Sequence, residues 1–337
     1  MGLTGHGWLE TAGAVVVELA GRAAGRAHDE PGGGCGMKAA GGSRTAVLVC
    51  QGRAVADGRI APGRFTDPVA VSLLRADERR TVEQVRAGTP PSGWLERVDY
   101  ESVRACAEIV VPRTIAIDDA VRERTSPQAV LLGAGLDDRA WRMPELADRV
   151  VFEVDHPDSA RDKRQRLAGL PAPTRPVRPG KPGERVRFVS VDLTRDRLEG
   201  ALAAAGHRAD TPTTWIWEGV VPYLTRPEAA RTVAAVATLS APGSRLIVNY
   251  QAPQAAIAIG QLIARSMDVL ARRRGIWANE PWRSRWTASA MRDLLGRNGF
   301  TVRSDDDLLT IATRLTTPTP RRASLRSGRV AVADRPA

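Results

Sequence analysis

The chain has 337 residues, enough for one large domain or two modest ones, and with 43% apolar and 26% charged residues the bulk of it is not a disordered polymer. The formal charge is +11, and with lysine only at Lys38, Lys163 and Lys181 the excess is almost all arginine. Apart from Arg272, Arg273 and Arg274 the arginines are scattered among Asp and Glu, which argues against a nucleic-acid surface and for solvated faces.

The first 36 residues are glycine-dense and end in Gly32-Gly33-Gly34-Cys35-Gly36 before Met37, without periodicity. A disordered leader is expected over 1–36, with Met37 as an alternative start of the native protein. From Thr45 apolar residues return at helical spacing, and the turn-rich Pro62-Gly63-Arg64-Phe65-Thr66-Asp67-Pro68 separates two helical stretches, so 37–112 reads as a helical cap module. Beyond Pro112 the texture alternates. A helix over Ile115 to Arg124 precedes the apolar run Ala129 to Leu132, and Val150 to Asp155 is the next strand, followed by a helix over Asp158 to Leu167. A loop with Pro171, Pro173, Pro176, Pro179 and Pro182 interrupts the pattern. Strand signals resume at Val186 to Val191, then a helix over Arg197 to Ala205, a strand over Thr214 to Trp217, and a helix opened by the capping pair Thr225 and Glu228. Pro242-Gly243 ends that helix before a strand at Arg245 to Val248. Thr287 caps a last helix.

Five β units separated by helices predict an α/β fold: a doubly wound, mostly parallel Rossmann-like sheet over 113–337, with the helical module before it and a helical lid insertion near 250–286. No run reaches the ~18 apolar residues of a membrane span. Cys35, Cys50 and Cys106 share no CxxC spacing, and His6, His28, His156 and His207 lie apart, so neither a disulfide framework nor a zinc site is expected. The expectation is a soluble, cytoplasmic chain without a metal.

In such sheets ligands sit beyond the carboxyl ends of the strands. The residues there are Gly133-Ala134-Gly135, Asp155, Asp192 and Glu218-Gly219, and three of the four stations carry an acid. The glycine pair lets a ligand approach the backbone, and Asp155, 155 − 135 = 20 residues beyond Gly135, suits both hydroxyls of a ribose. A dinucleotide fingerprint would need a small residue at 138, where this chain has Leu136-Asp137-Asp138. Carboxylates beside a pyrophosphate repel it by several kcal/mol in a low-dielectric cleft. S-adenosylmethionine (SAM) has the ribose and adenine without a phosphate, and carries cationic groups that acids favour. The backbone at Gly133 to Gly135 then faces the methionine moiety, Asp155 the ribose, and Asp192 with Leu193 the adenine.

The segments Val130-Leu131-Leu132-Gly133-Ala134-Gly135-Leu136-Asp137-Asp138-Arg139-Ala140-Trp141-Arg142, Phe152-Glu153-Val154-Asp155-His156-Pro157 and Trp217-Glu218-Gly219-Val220-Val221-Pro222-Tyr223-Leu224 resemble the leucine carboxyl methyltransferase-like family of SAM-dependent methyltransferases, including its bacterial polyketide O-methyltransferase branch. Phe65 to Ala70 and Pro112-Arg113-Thr114 through Asp119 resemble its upstream signatures. The resemblance runs from about Thr45 to the C-terminus. It implies that Arg113 pairs with the cofactor carboxylate, that Asp155, Asp192 and Leu193 hold the nucleoside, that Glu218 lies near the methionine end, and that Tyr223 faces the acceptor. Family members often carry a second arginine where this chain has Ile115 and a glutamine where it has His156, and the proline-rich loop and Thr316 to Arg329 also depart from the pattern.

Methyl transfer from a sulfonium is an in-line displacement that demands no triad, and a carboxylate acceptor needs no base. His156, His207, Tyr223 and Glu218 are the candidates by type, and no catalytic base is assigned. Tyr250 with Trp277, Trp282 and Trp286 in the lid suits an apolar acceptor pocket or plain core packing. The expected activity is O-methylation of a carboxyl or hydroxyl oxygen of a small, polyketide-like metabolite. The competing readings are a protein C-terminal carboxyl methyltransferase, a non-catalytic SAM- or nucleic-acid-binding protein, and, least favoured, an NAD-linked dehydrogenase.

Overall fold

The computed structural model describes residues 43–124, 126–168, 185–253, 283–317 and 319–337. The leader, the start at Met37, the proline-rich loop, Arg272 to Arg274 and most of the expected lid, with Trp277 and Trp282, lie outside the described residues.

The helical module opens with α1 (Arg44–Ala56), whose first turn is capped by the Ser43 hydroxyl accepting from the Ala46 N–H at 3.3 Å. α2 (Ala76–Ala87) ends where Gly88 takes the left-handed φ of +67° that a helix stop of this kind needs. α3 (Trp94–Glu123) then runs for 30 residues straight through Pro112. The separate helix expected from Ile115, and the boundary expected after Pro112, therefore fall inside one continuous helix. Loss of one ladder hydrogen bond at the proline is outweighed because both halves of α3 are packed: Val103, Val110 and Val111 against α1, and Ile117, Ala120 and Val121 against the sheet.

Among the described residues, seven strands form one sheet in the order β3-β2-β1-β4-β5-β7-β6. They are β1 (Gln128–Leu132), β2 (Val150–Asp155), β3 (Val186–Ser190), β4 (Thr213–Trp217), β5 (Arg245–Gln251), β6 (Thr301–Asp307) and β7 (Gly328–Asp334). β1 to β5 run parallel, while β7 is antiparallel to both β5 and β6. α4 (Pro157–Ala168), α5 (Leu198–Ala204), α6 (Arg226–Thr238), α7 (Ala288–Arg297), α8 (Leu308–Arg314) and α9 (Arg322–Ser327) are the other described α-helices of six or more residues, and a single helical turn covers Arg139–Arg142. The reciprocal cap at α6 forms as the sequence predicts, Glu228 Oε2 accepting the Thr225 N–H at 2.7 Å and Thr225 Oγ1 accepting the Glu228 N–H at 3.4 Å.

Strand alternation divides the apolar residues between the faces. Val130, Leu132, Phe152, Val154, Trp215 and Trp217 pack on one side, and Ala129, Leu131, Val151, Ile216 and Ile247 on the other. The register sets Leu132 opposite both Val154 and Trp217, so the next residues, Gly133, Asp155 and Glu218, leave the sheet side by side. Strand order reverses between β1 and β4, and the crevice where ligands bind in such sheets opens there.

Candidate active site

A cavity of about 620 Å³ lies over this crevice, floored by the ends of β1, β2 and β4 and roofed by α1 and α3. Its size is within the ~300–1,000 Å³ of small-molecule sites. Every cofactor residue expected from the sequence lines it: Arg113, Gly133, Ala134, Gly135, Asp155, Asp192, Leu193 and Glu218, with Tyr223.

The loop after β1 is built on left-handed backbone. Gly133 has φ +69° and Gly135 φ +47°, a region that L side chains avoid. A Cβ at Gly133 would meet Val220 Cγ2 at 2.1 Å, so the loop after β4 packs directly on it. Gly219 has φ +71°, and a Cβ there would meet no protein atom within 4 Å although the residue lines the cavity. Its missing side chain keeps open a part of the crevice into which a ligand fits.

Asp155 ends β2 with both oxygens engaged by backbone, Oδ2 accepting from the Gly135 N–H at 2.5 Å and Oδ1 from the His156 N–H at 2.7 Å. Burial pushes its carboxyl up, against the pull of these two donors. Asp192 is more committed than the sequence suggested: Oδ1 accepts from the Thr194 N–H at 2.9 Å and hydroxyl at 2.6 Å, which holds its carboxyl below the usual range and closes a turn.

Charge is balanced at the opposite end. Glu218 Oε1 lies 2.6 Å from Arg113 Nε, and its Oε2 accepts from Arg139 Nη1 at 2.6 Å. Burial alone would raise the Glu218 carboxyl, but Arg139 and Arg113 outweigh it and hold the group ionised. Arg139 also binds Asp137, and reaches Asp118 Oδ1 with Nε at 2.7 Å. Asp138 does not face the ligand space at all. Its carboxylate is fully buried on Arg142 Nε at 2.9 Å and near Arg53 Nη2 at 3.4 Å, and burial pushes it up to about 6. The expected crowd of acids at the mouth is thus a mixed ion-pair cluster in which Asp137 and Glu218 face the cavity and Asp138 turns away.

Arg53 and Asn249 also line the cavity, and neither has a role assigned from the sequence. Arg53 of α1 donates to Asp67 at 2.7 Å and to the Leu136 carbonyl at 2.7 Å, clamping the helical module to the β1 loop from 83 residues away. Asn249 accepts from the Gly219 N–H at 3.3 Å and donates to the Arg329 carbonyl, steadying the turn after Glu218.

Tyr250 is a correction. Alternation along β5 sends Asn249 and Gln251 toward the cavity and Tyr250 to the opposite face, where it is fully buried with its hydroxyl 2.7 Å from Asp305 Oδ2. It is a core residue. So is Trp286, whose Nε1 donates to the Ser284 hydroxyl at 3.2 Å. His207 lies off the cavity, edge-on to Phe152 and bonded to Thr213 Oγ1 at 3.1 Å, whereas His156 lines the cavity with an exposed ring. Among the described residues no group of three His, Cys, Asp or Glu is placed to hold a metal ion, and no helix is long and apolar enough to cross a membrane.

A family model for leucine carboxyl methyltransferase matches residues 46–237. The chain belongs to that family. Relatives named "Putative S-adenosyl-L-methionine-dependent methyltransferase" include one from Mycobacterium sp. (strain JLS), 34% identical over 216 residues covering 64% of this chain and 68% of the relative. Another, from Mycolicibacterium smegmatis, is 37% identical over 213 residues covering 61% and 66%. Among solved structures, magnesium protoporphyrin IX methyltransferase from Synechocystis with bound S-adenosylhomocysteine aligns at TM-score 0.42 and 15% identity, over 77% of this chain and 95% of that one. This leucine carboxyl methyltransferase family member is a SAM-dependent methyltransferase. Its cavity fits that cofactor: a glycine-lined crevice, an acid at the end of β2, and a zwitterionic cluster of Arg113, Asp137 and Glu218.

Proposed function

We propose that this methyltransferase transfers the SAM methyl group to an oxygen, carboxyl or hydroxyl, of a small, polyketide-like metabolite. The supporting observation is the continuity of the cavity. Gly133, Asp155 and Glu218 line the same cavity as Asn249, Gln251, Ser327 and Arg283, with α1 and α3 along one side of it. A roofed cavity of that size suits a compact acceptor better than a protein chain terminus.

In this reading Asp155 holds the ribose hydroxyls and Asp192 and Leu193 frame the adenine. Arg113 takes the cofactor carboxylate, Asp137 and Glu218 the ammonium, and Tyr223 faces the acceptor. Bound SAM supplies a methyl carbon already activated by the adjacent sulfonium. The chain contributes alignment of the acceptor oxygen, an entropic advantage that reaches roughly 7–11 kcal/mol in well-oriented systems. A carboxylate arrives ionised, so no residue has to remove a proton; a hydroxyl would pass its proton to water.

The test is incubation with methyl-labelled SAM and a panel of small aromatic carboxylic acids and phenols, beside peptides with free carboxyl termini. Label on oxygen of a small acid or phenol is expected, with esters distinguished from ethers by release of labelled methanol in mild base. Label on nitrogen, carbon or sulfur, or on peptide termini alone, overturns the proposal.

A further inference from the structure

Arg139 belongs to none of the ligand contacts assigned above, yet it is the hub of the site. Its side chain is 1% exposed and meets three carboxylates from three places in the fold: Asp118 of α3, Asp137 of the β1 loop and Glu218 at the end of β4. Two of those carboxylates, Asp137 and Glu218, face the cavity, whereas Arg139 itself does not. Asp137 is fixed twice, since its Oδ1 also accepts from the Arg139 N–H at 2.9 Å. Asp118 in turn is held by Arg142 Nη1 at 2.6 Å, so the hub is anchored away from the ligand.

From this geometry we infer that Arg139 is a positioning residue that sets the Asp137 and Glu218 carboxylates as a preformed pair for the amino-acid end of the cofactor. The inference rests on the placement of that end given under the proposed function. The planar guanidinium is required because one group must span Asp118 through Nε and the two cavity carboxylates through Nη1. A lysine ammonium is a single point and cannot reach both sides. Without Arg139 the cavity pair would be two like charges in a buried site, with Arg113 of α3 beside Glu218, Arg53 of α1 farther off, and Lys163 of α4 bonded to the Asp137 carbonyl and paired with Glu153. Glu218, whose ionised form Arg139 and Arg113 jointly maintain against burial, would then take up a proton far more readily.

The experiment compares S-adenosylhomocysteine with 5′-methylthioadenosine, which keeps the nucleoside and lacks the amino-acid end, by calorimetric titration of the full chain. Wild type, Arg139→Gln and Arg139→Lys are each measured between about pH 6.5 and 8.5. Both variants are expected to bind S-adenosylhomocysteine about tenfold or more weakly while 5′-methylthioadenosine changes less than about twofold. In Arg139→Gln the S-adenosylhomocysteine affinity should also fall more steeply as pH falls than it does in wild type, where Glu153, pushed up to about 7 by burial, is the titrating neighbour of Asp137. Parallel loss of both ligands, or an unchanged ratio between them, overturns the role of Arg139. Wild-type protein that binds the two ligands equally well removes the amino-acid end from this cluster and overturns the cofactor placement as well; a wild-type preference for S-adenosylhomocysteine that survives in both variants sinks only the Arg139 inference.

Discussion

Gly133 offers the sharpest measure of how the site is built. Replacing it by alanine puts an L side chain at φ +69°, which costs about 1–2 kcal/mol. The new methyl would also sit 2.1 Å from Val220 Cγ2, far inside van der Waals contact, and forcing a methyl into packed space costs a further ~1–3 kcal/mol. The single variant should therefore lose about 2–5 kcal/mol of stability as the sum of the two. Val220→Ala vacates the contact at about 1 kcal/mol, because the residue is only partly buried. The double variant should then recover the packing component and keep the backbone component, giving a coupling of ~1–3 kcal/mol. Denaturant unfolding followed by circular dichroism and tryptophan fluorescence, with coincident transitions as the condition for using the midpoints, measures all four proteins. Losses that simply add would show that the Gly133–Val220 approach is not what excludes a side chain, and the reasoning fails.

Two other predictions concern residues placed in the core rather than in the site. Tyr250→Phe removes the hydroxyl that Asp305 and Arg329 share, and should cost about 1–2 kcal/mol of stability with S-adenosylhomocysteine binding unchanged; a loss of binding would return Tyr250 to the cavity. Burial pushes the His207 imidazole down to about 4 from its ordinary 6.5. The unfolded chain therefore takes up a proton near 6.5 that the folded chain refuses until about 4, so this contribution is complete above 6.5 and is lost progressively as pH falls through that window. His207→Gln should flatten the pH dependence of the thermal midpoint there, and an unaltered slope would mean that other groups set it.

The local grammar of the chain was enough to place β1 to β5, the helices α4, α5 and α6 and the cavity-lining residues after β1 to β4, because strand period, glycine at turn positions and capping pairs act over a few residues. The same grammar misled at Pro112, where proline reads as a stop but long-range packing on both halves carries α3 through. It was silent about β6. The segment Thr301-Val302-Arg303-Ser304-Asp305-Asp306-Asp307 is polar except for Val302, and only its pairing to β7 at the sheet edge makes it a strand.

What the sequence by itself determined is the succession of β1 to β5 along the chain and the identity of the groups at their carboxyl ends. Which of those groups face the cavity was decided only by tertiary structure. Asp137 and Asp138 are adjacent and chemically identical, yet one faces the cavity and the other is sealed against Arg142 and Arg53. Arg53 reaches that loop across 83 residues of chain and Arg139 reaches Glu218 across 79. Charge pairing is set by distance in space, and no local pattern carries it.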